Sequence, residues 1–151
     1  MQAIHNVISD LSLTEKASLV AGDKLWYTQA VKSAALPPLM MTDGPSGLRK
    51  QADSPAGENT GLGKAVTAVS YPASALTACS FDRQLLFEVG KNLGIAAHAN
   101  DVGVLLGPGV NIKRSPLAGR NFEYFSEDPY LTGELGTNMS KGFKVKTWGW
   151  R

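Results

Sequence analysis

Cysteine and histidine are scarce in this 151-residue chain, which has one cysteine and two histidines. A lone cysteine excludes an intramolecular disulfide and a multi-cysteine zinc site, and His5 and His98 are too few for a histidine-rich metal site. Because Cys79 lies in a run of small and apolar residues, we expect a buried, inert thiol rather than a nucleophile. The sequence therefore predicts neither a metal site nor a cofactor.

Strong charge and long hydrophobic runs are also missing. The formal net charge is +2, and the basic residues are scattered apart from a cluster at 141–146, which argues against a nucleic-acid partner. No apolar run approaches the roughly 20 residues that span a bilayer, and the N-terminus lacks the basic and then apolar pattern of a secretory signal. We therefore expect no membrane partner and a cytoplasmic location.

Periodic apolar patterns predict alternating helices and short strands. Ser12 and Glu15 form a capping box that begins a helix. Two further helices are expected, one capped by Ser80 or Asp82 and one that begins at Pro129. One apolar face is predicted for each of these two helices: Leu85, Val89, Leu93 and Ala97 on the first, and Leu131, Leu135 and Met139 on the second.

Strands are predicted at 39–41, 71–73 and 102–106, and a long surface loop at 49–64. The continuous apolar run at 102–106 indicates a strand buried on both faces, as in a parallel sheet. This alternation of helices and strands predicts an α/β fold, with functional loops at the carboxyl ends of parallel strands.

The first of these loops begins with Asp43, which follows a predicted strand and precedes Gly44 and Pro45. A carboxylate held at the edge of a sheet can accept two sugar hydroxyls. Asp43 serves equally well as a turn cap, because aspartate before Gly-Pro is common in turns. Arg49 adds a cation at the end of the same loop. The residues alone leave both interpretations open.

The loop after the strand at 102–106 carries Arg120, Glu123 and Glu127 among three aromatic residues. Aromatic rings can stack on the apolar face of a sugar while charged groups bind its hydroxyls, so the loop suits a carbohydrate. An ion pair between the arginine and a glutamate, fixing the loop, explains the same residues equally well.

Together these segments resemble the amino-terminal part of glycoside hydrolase family 3, a group that includes many β-glucosidases. The resemblance extends to about Gly142. The segments that carry it are, in order, Leu13-Thr14-Glu15-Lys16, Leu25-Trp26-Tyr27-Thr28, Thr42-Asp43-Gly44-Pro45-Ser46-Gly47-Leu48-Arg49, Tyr71-Pro72, Ser80-Phe81-Asp82, Leu106-Gly107-Pro108-Gly109-Val110-Asn111-Ile112 and Arg120-Asn121-Phe122-Glu123-Tyr124-Phe125-Ser126-Glu127-Asp128-Pro129.

The resemblance implies a partial (β/α)8 barrel, truncated before barrel closure, and a retaining mechanism with an aspartate nucleophile and a glutamate acid/base. At the matched positions Asp43, Arg49 and Arg120 would bind the nonreducing terminal sugar of a β-glucoside-like substrate, and Glu123 would support Arg120. No catalytic residue is assigned, because the family's nucleophile and acid/base segments find no match in this sequence. Glu123 and Glu127 match positions that are not catalytic.

We therefore expect residues 1–142 to be the first part of the family's amino-terminal barrel domain and residues 143–151 to be an aberrant tail. A one-base shift in the frame encoding 148–150 gives a Gly-x-Gly start like that of relatives, so a frameshift is our hypothesis for the tail. The chain would be a truncated glycoside hydrolase, inactive alone. A subunit completed in trans by a separately encoded remainder and a non-catalytic carbohydrate-binding fragment are the alternatives.

Overall fold

The structure, a computed structural model, describes residues 2–23, 26–51 and 64–144. The chain divides into two compact units, Met1–Met41 and Thr42–Arg151. Most of the loop predicted at 49–64 and most of the tail predicted at 143–151 lie outside the described residues.

The first unit contains helices α1, Gln2–Asp10, and α2, Leu13–Ala21, followed by a 3-10 turn at Lys32–Ala34. The predicted capping box is confirmed at the start of α2. The Ser12 hydroxyl accepts a hydrogen bond from the Glu15 amide, and the Glu15 carboxylate accepts one from the Ser12 amide at 2.8 Å. The sequence patterns did not predict α1.

Glu15 gives this unit a pH dependence that can be measured. Its carboxylate accepts hydrogen bonds from the Ser33 hydroxyl, the Ser12 hydroxyl and the Ser12 amide, and these lower the pKa of Glu15 from 4.5 to about 2. Because the folded pKa lies below the unfolded one, the stabilisation is fully present above about pH 4.5 and is lost as the pH falls toward 2.

We expect NMR titration of the Glu15 side-chain carboxyl to give a midpoint near 2. The protection of the α2 amides against hydrogen exchange, measured relative to the intrinsic exchange rate at each pH, should fall as the pH drops from about 4.5 toward 2. Glu15→Gln should remove that pH dependence. A midpoint at the ordinary glutamate value would contradict this prediction.

A two-stranded sheet pairs β1, Met41–Asp43, with β2, Val104–Leu106. The strand predicted at 39–41 begins later than expected, because Leu39 and Met40 pair instead with the backbone of Thr28 and Tyr27. The strand predicted at 71–73 does not form, and the Tyr71 amide donates instead to the Ser46 carbonyl at 2.7 Å.

The prediction that the 102–106 strand is buried on both faces is wrong. Within the described residues the sheet has two strands, so β2 has a neighbouring strand on one side only. The faces of the strand are also incompletely covered, since Val104 and Leu105 are half-buried and Leu106 is 46% exposed.

Three helices complete the second unit: α3, Ser74–Ala78; α4, Arg83–Ala99; and α5, Pro129–Lys144. Asp82 caps α4 by accepting hydrogen bonds from the amides of Gln84 and Leu85, and Asp128 accepts one from Tyr130 at the start of α5. Packing between α4 and α5 buries a core that also includes residues of α3 and the 120–126 loop: Ala78, Leu86, Leu93, Phe125, Leu135 and Met139.

The predicted apolar face is confirmed for α5 but only partly for α4. Leu135 and Met139 of α5 are buried as expected, with Leu131 packed beside them. On α4 the predicted Leu93 and Ala97 are buried, but the buried face is rotated from the predicted one, since Leu85 is exposed and Val89 only partly buried. The buried α4 positions are Leu86, Gly90, Leu93, Gly94 and Ala97.

The prediction of a buried Cys79 thiol is also wrong. Cys79 follows the last residue of α3, where the chain turns, and it is exposed. Its thiol donates to the Ala75 carbonyl at 3.3 Å.

No helix in the described segments is long and apolar enough to cross a membrane.

Candidate functional site

A cavity of about 770 Å³ opens where the two strands end, and Asp43 of β1 and Leu106 of β2 both line it. Three loops supply most of its wall: 43–49, 106–111 and 120–124. The sheet therefore brings together segments that are far apart in sequence, and each carries polar groups into the same space.

The 43–49 loop is a tight turn that places Asp43 beside Arg49. The Arg49 amide donates to the Asp43 carbonyl at 3.0 Å, and the buried Thr42 hydroxyl donates to the Arg49 carbonyl at 2.7 Å. Gly44 has a φ of +150°, and a Cβ there would lie 2.5 Å from the Gly47 carbonyl oxygen. Only glycine fits this position without moving the backbone that presents Asp43 and Arg49.

The 106–111 loop packs directly on the first loop. A Cβ at Gly107 would lie 2.9 Å from the Pro45 Cα, so the two backbones are already in contact. Gly109 in turn forms a bridge with Tyr124 of the third loop. These contacts hold the three loops against each other and fix the cavity wall.

The third loop presents an ion pair on a short 3-10 helix at Asn121–Glu123. Arg120 Nε donates to Glu123 Oε1, with the Arg120 side chain 75% exposed and that of Glu123 21% exposed. Glu123 is the main cause that raises the pKa of Arg120 above its ordinary value, and Tyr124 and Asp43 add smaller contributions. The guanidinium is therefore held as a fixed cation within the electrostatic influence of Asp43.

The structure brings together all four residues predicted for this site, since Asp43, Arg49, Arg120 and Glu123 all line the cavity. Glu127 does not line it. The two interpretations left open for the third loop are compatible, because the Arg120–Glu123 ion pair forms and both of its members also face the cavity.

Three uncharged polar residues of the cavity wall were missed by sequence reasoning: Ser46, Tyr71 and Asn111. Tyr71 lies outside the three loops, and no local pattern connects it with them. Ser46 and Asn111 lie inside recognisable segments, but single neutral side chains give no charge pattern that would identify them.

The charged groups of the wall cancel, with two guanidinium groups against two carboxylates. These groups supply hydrogen-bond donors and acceptors while the net charge of the wall is zero. The aromatic residues Phe122 and Tyr124 line the same cavity. This chemistry suits a neutral ligand with many hydroxyls. Among the described residues, no group of three potential ligands could hold a metal ion.

Residues 29–147 match the profile of the glycosyl hydrolase family 3 N-terminal domain. The chain is 50% identical over 139 residues to the thermostable beta-glucosidase B of Acetivibrio thermocellus, a match that covers 92% of this chain and 18% of that protein. It is 46% identical over 145 residues to an exo-alpha-(1->6)-L-arabinopyranosidase of Bifidobacterium longum, covering 96% of this chain and 19% of that protein.

The fold matches a solved structure as well. Beta-glucosidase 3B from Thermotoga neapolitana, in complex with alpha-D-glucose, aligns with a TM-score of 0.79 and 34% identity, over 94% of this chain and 21% of that one. These likenesses and the mixture of helices and strands confirm an α/β fold. The chain spans about a fifth of the length of the proteins that it matches.

Proposed function

Because the chain belongs to glycosyl hydrolase family 3, we propose that residues 1–142 are the first part of the (β/α)8 barrel of an exo-acting, retaining β-glucosidase-type enzyme. The match to the family's N-terminal domain and the likeness to β-glucosidases support this proposal. A (β/α)8 barrel needs about 250 residues, so the proposal requires further residues to close it.

The observation that carries this proposal is the convergence of Asp43, Arg49, Arg120 and Glu123 on one cavity. In the proposed role Asp43 accepts two hydroxyls of the terminal sugar in bidentate fashion, and Arg49 and Arg120 donate to others. Glu123 fixes the Arg120 guanidinium through the ion pair, so that its remaining donors face the sugar. These groups position the ring and tighten on it as it distorts, while bond-making groups come from elsewhere in the enzyme.

The 151 residues by themselves are proposed to be hydrolytically silent, since neither a nucleophile nor an acid/base is assigned among them. This proposal has two alternatives. Relatives about five times longer favour a subunit completed in trans by the remainder of the enzyme. The sugar-binding wall assembled within this chain favours a non-catalytic carbohydrate-binding fragment.

Titration with methyl β-glucoside and a hydrolysis assay together test the proposal. The sugar should shift the backbone NMR signals of the 43–49 and 120–124 loops. Nitrophenyl β-glucoside should be cleaved when the chain is mixed with the separately expressed downstream part of the Acetivibrio thermocellus relative, and not by either piece alone.

Binding without hydrolysis in the mixture would leave the carbohydrate-binding fragment as the function. The absence of shifts in both loops, in folded protein, would overturn the sugar-binding proposal. Hydrolysis by the chain alone would overturn its proposed silence.

A further inference from the structure

A second cavity, of about 260 Å³, lies between the N-terminal ends of α4 and α5. It shares no residue with the cavity of Asp43. The buried Leu135 belongs to its wall, so the cavity rests on the core between the two helices. That core is closely packed, which gives the cavity a rigid base.

Two aromatic rings stand at this cavity with most of their surface in solvent. Phe81 and Tyr130 are each 69% exposed, so neither ring contributes much to the core. Phe81 also has a φ of +54°, in the left-handed region that bulky residues rarely adopt. The fold thus keeps a strained backbone that presents an apolar ring outward, a combination found where ligands bind.

Charged groups line the same cavity as the two rings. Arg83 Nε donates to Glu134 Oε2 at 2.6 Å, linking α4 to α5, and both side chains remain partly exposed. Asp128 uses one carboxylate oxygen to accept the Tyr130 amide at 2.9 Å. Arg83 also interacts with the Tyr130 side chain, since Glu134 first and Tyr130 to a smaller extent raise the pKa of Arg83 above its ordinary value. A guanidinium has five donors and a carboxylate two acceptor oxygens, so these groups keep capacity for hydroxyl groups.

We propose that this cavity is a second carbohydrate-binding site, in which Phe81 and Tyr130 stack on one ring of a neutral saccharide and Arg83, Asp128 and Glu134 bind its hydroxyls. The other ligand that aromatic rings and carboxylates accept is a cationic side chain. The wall holds the carboxylates of Asp128 and Glu134 against the guanidinium of Arg83, so a cationic side chain is the competing ligand that the test must exclude.

Titration of the ¹⁵N-labelled full chain with cellotriose tests this proposal, with Asp43→Asn included to weaken the first cavity. The saccharide should shift the amide signals of 81–83 and 128–134 in both backgrounds. Tyr130→Ala should weaken this binding about three- to tenfold, the value of one aromatic stacking contact, while Tyr130→Phe should stay within about twofold. Leu117→Ala, at an exposed apolar residue outside the cavity, is the matched control.

The amide spectrum reports folding of each variant in the same experiment. Shifts confined to the 43–49 and 120–124 loops would overturn the second site while supporting the first. Shifts at 81–83 and 128–134 that Tyr130→Ala leaves unchanged would overturn it too, as would a lysine-rich peptide that produces them where cellotriose does not. Because the two cavities share no residue, failure at one is distinguishable from failure at the other.

Discussion

Gly142→Ala is expected to lower the free energy of unfolding by about 3 kcal/mol, because overpacking against rigid atoms lies at the upper end of the usual 1–3 kcal/mol. A Cβ at Gly142 would lie 2.2 Å from the Phe87 carbonyl oxygen and 2.7 Å from the Lys91 amide nitrogen. Both are backbone atoms of α4, so no side chain can rotate away to make room. The helices must separate, which opens the core around Leu86 and Leu135.

Urea unfolding followed by circular dichroism measures this effect, with Gly133→Ala as the matched control on the same helix. Nothing lies within 4 Å of a Cβ at Gly133, so alanine there should add about 0.5–1 kcal/mol through its better helix propensity. A Gly142→Ala protein as stable as the parent would show that α4 and α5 do not approach as closely as described.

How far the sequence predicted the fold depended on whether the deciding interactions are local. The capping box of Ser12 and Glu15 was identified because both partners lie within one helical turn. Asp128 and Pro129 likewise mark the start of α5 by local chemistry alone. Local rules of this kind need no knowledge of the rest of the chain.

Predictions that depended on contacts between distant parts of the chain were only partly right. The predicted face of α4 was Leu85, Val89, Leu93 and Ala97, of which Leu93 and Ala97 are buried, whereas Leu85 is exposed and Val89 only partly buried. The structure buries Gly90 and Gly94 instead, because α5 approaches so closely that a Cβ at either would meet its backbone. Where two helices pack this closely, glycine becomes a buried residue of the contact. The apolar periodicity of one helix does not predict how closely a second helix will approach.

The residues of the candidate site show the same difference between local and long-range signals. Four site residues could be recognised from the sequence alone: Asp43, Arg49, Arg120 and Glu123. Each is a charged residue on a glycine- or proline-containing loop that follows an apolar run. The pairing of β1 with β2 brings the 43–49 and 106–111 loops together, and the bridge between Gly109 and Tyr124 adds the 120–124 loop. Tyr71 reaches the cavity through a backbone hydrogen bond to Ser46, a long-range contact that no local sequence pattern indicates.

Asp43→Asn is expected to weaken binding of methyl β-glucoside by about a hundredfold, near 3 kcal/mol. The amide keeps the size of the carboxylate but replaces one acceptor oxygen with a donor, so the bidentate acceptance of two hydroxyls is lost. The substitution also removes the negative charge that balances Arg49 and Arg120 at the cavity wall. The loss should be seen by NMR titration of the chain and, in the complemented enzyme, as a similar fall in kcat/KM.

Asp101→Asn is the matched control, because it makes the same chemical change at an exposed residue outside the cavity. Asp101 has a φ of +54°, a conformation that asparagine also tolerates, so the backbone should stay in place. If Asp43→Asn changed binding no more than Asp101→Asn, Asp43 would be the cap of the 43–49 turn and no more. A loss confined to Asp43→Asn would instead assign the sugar contact to its carboxylate, since the turn itself is held by the backbone hydrogen bond between Asp43 and Arg49.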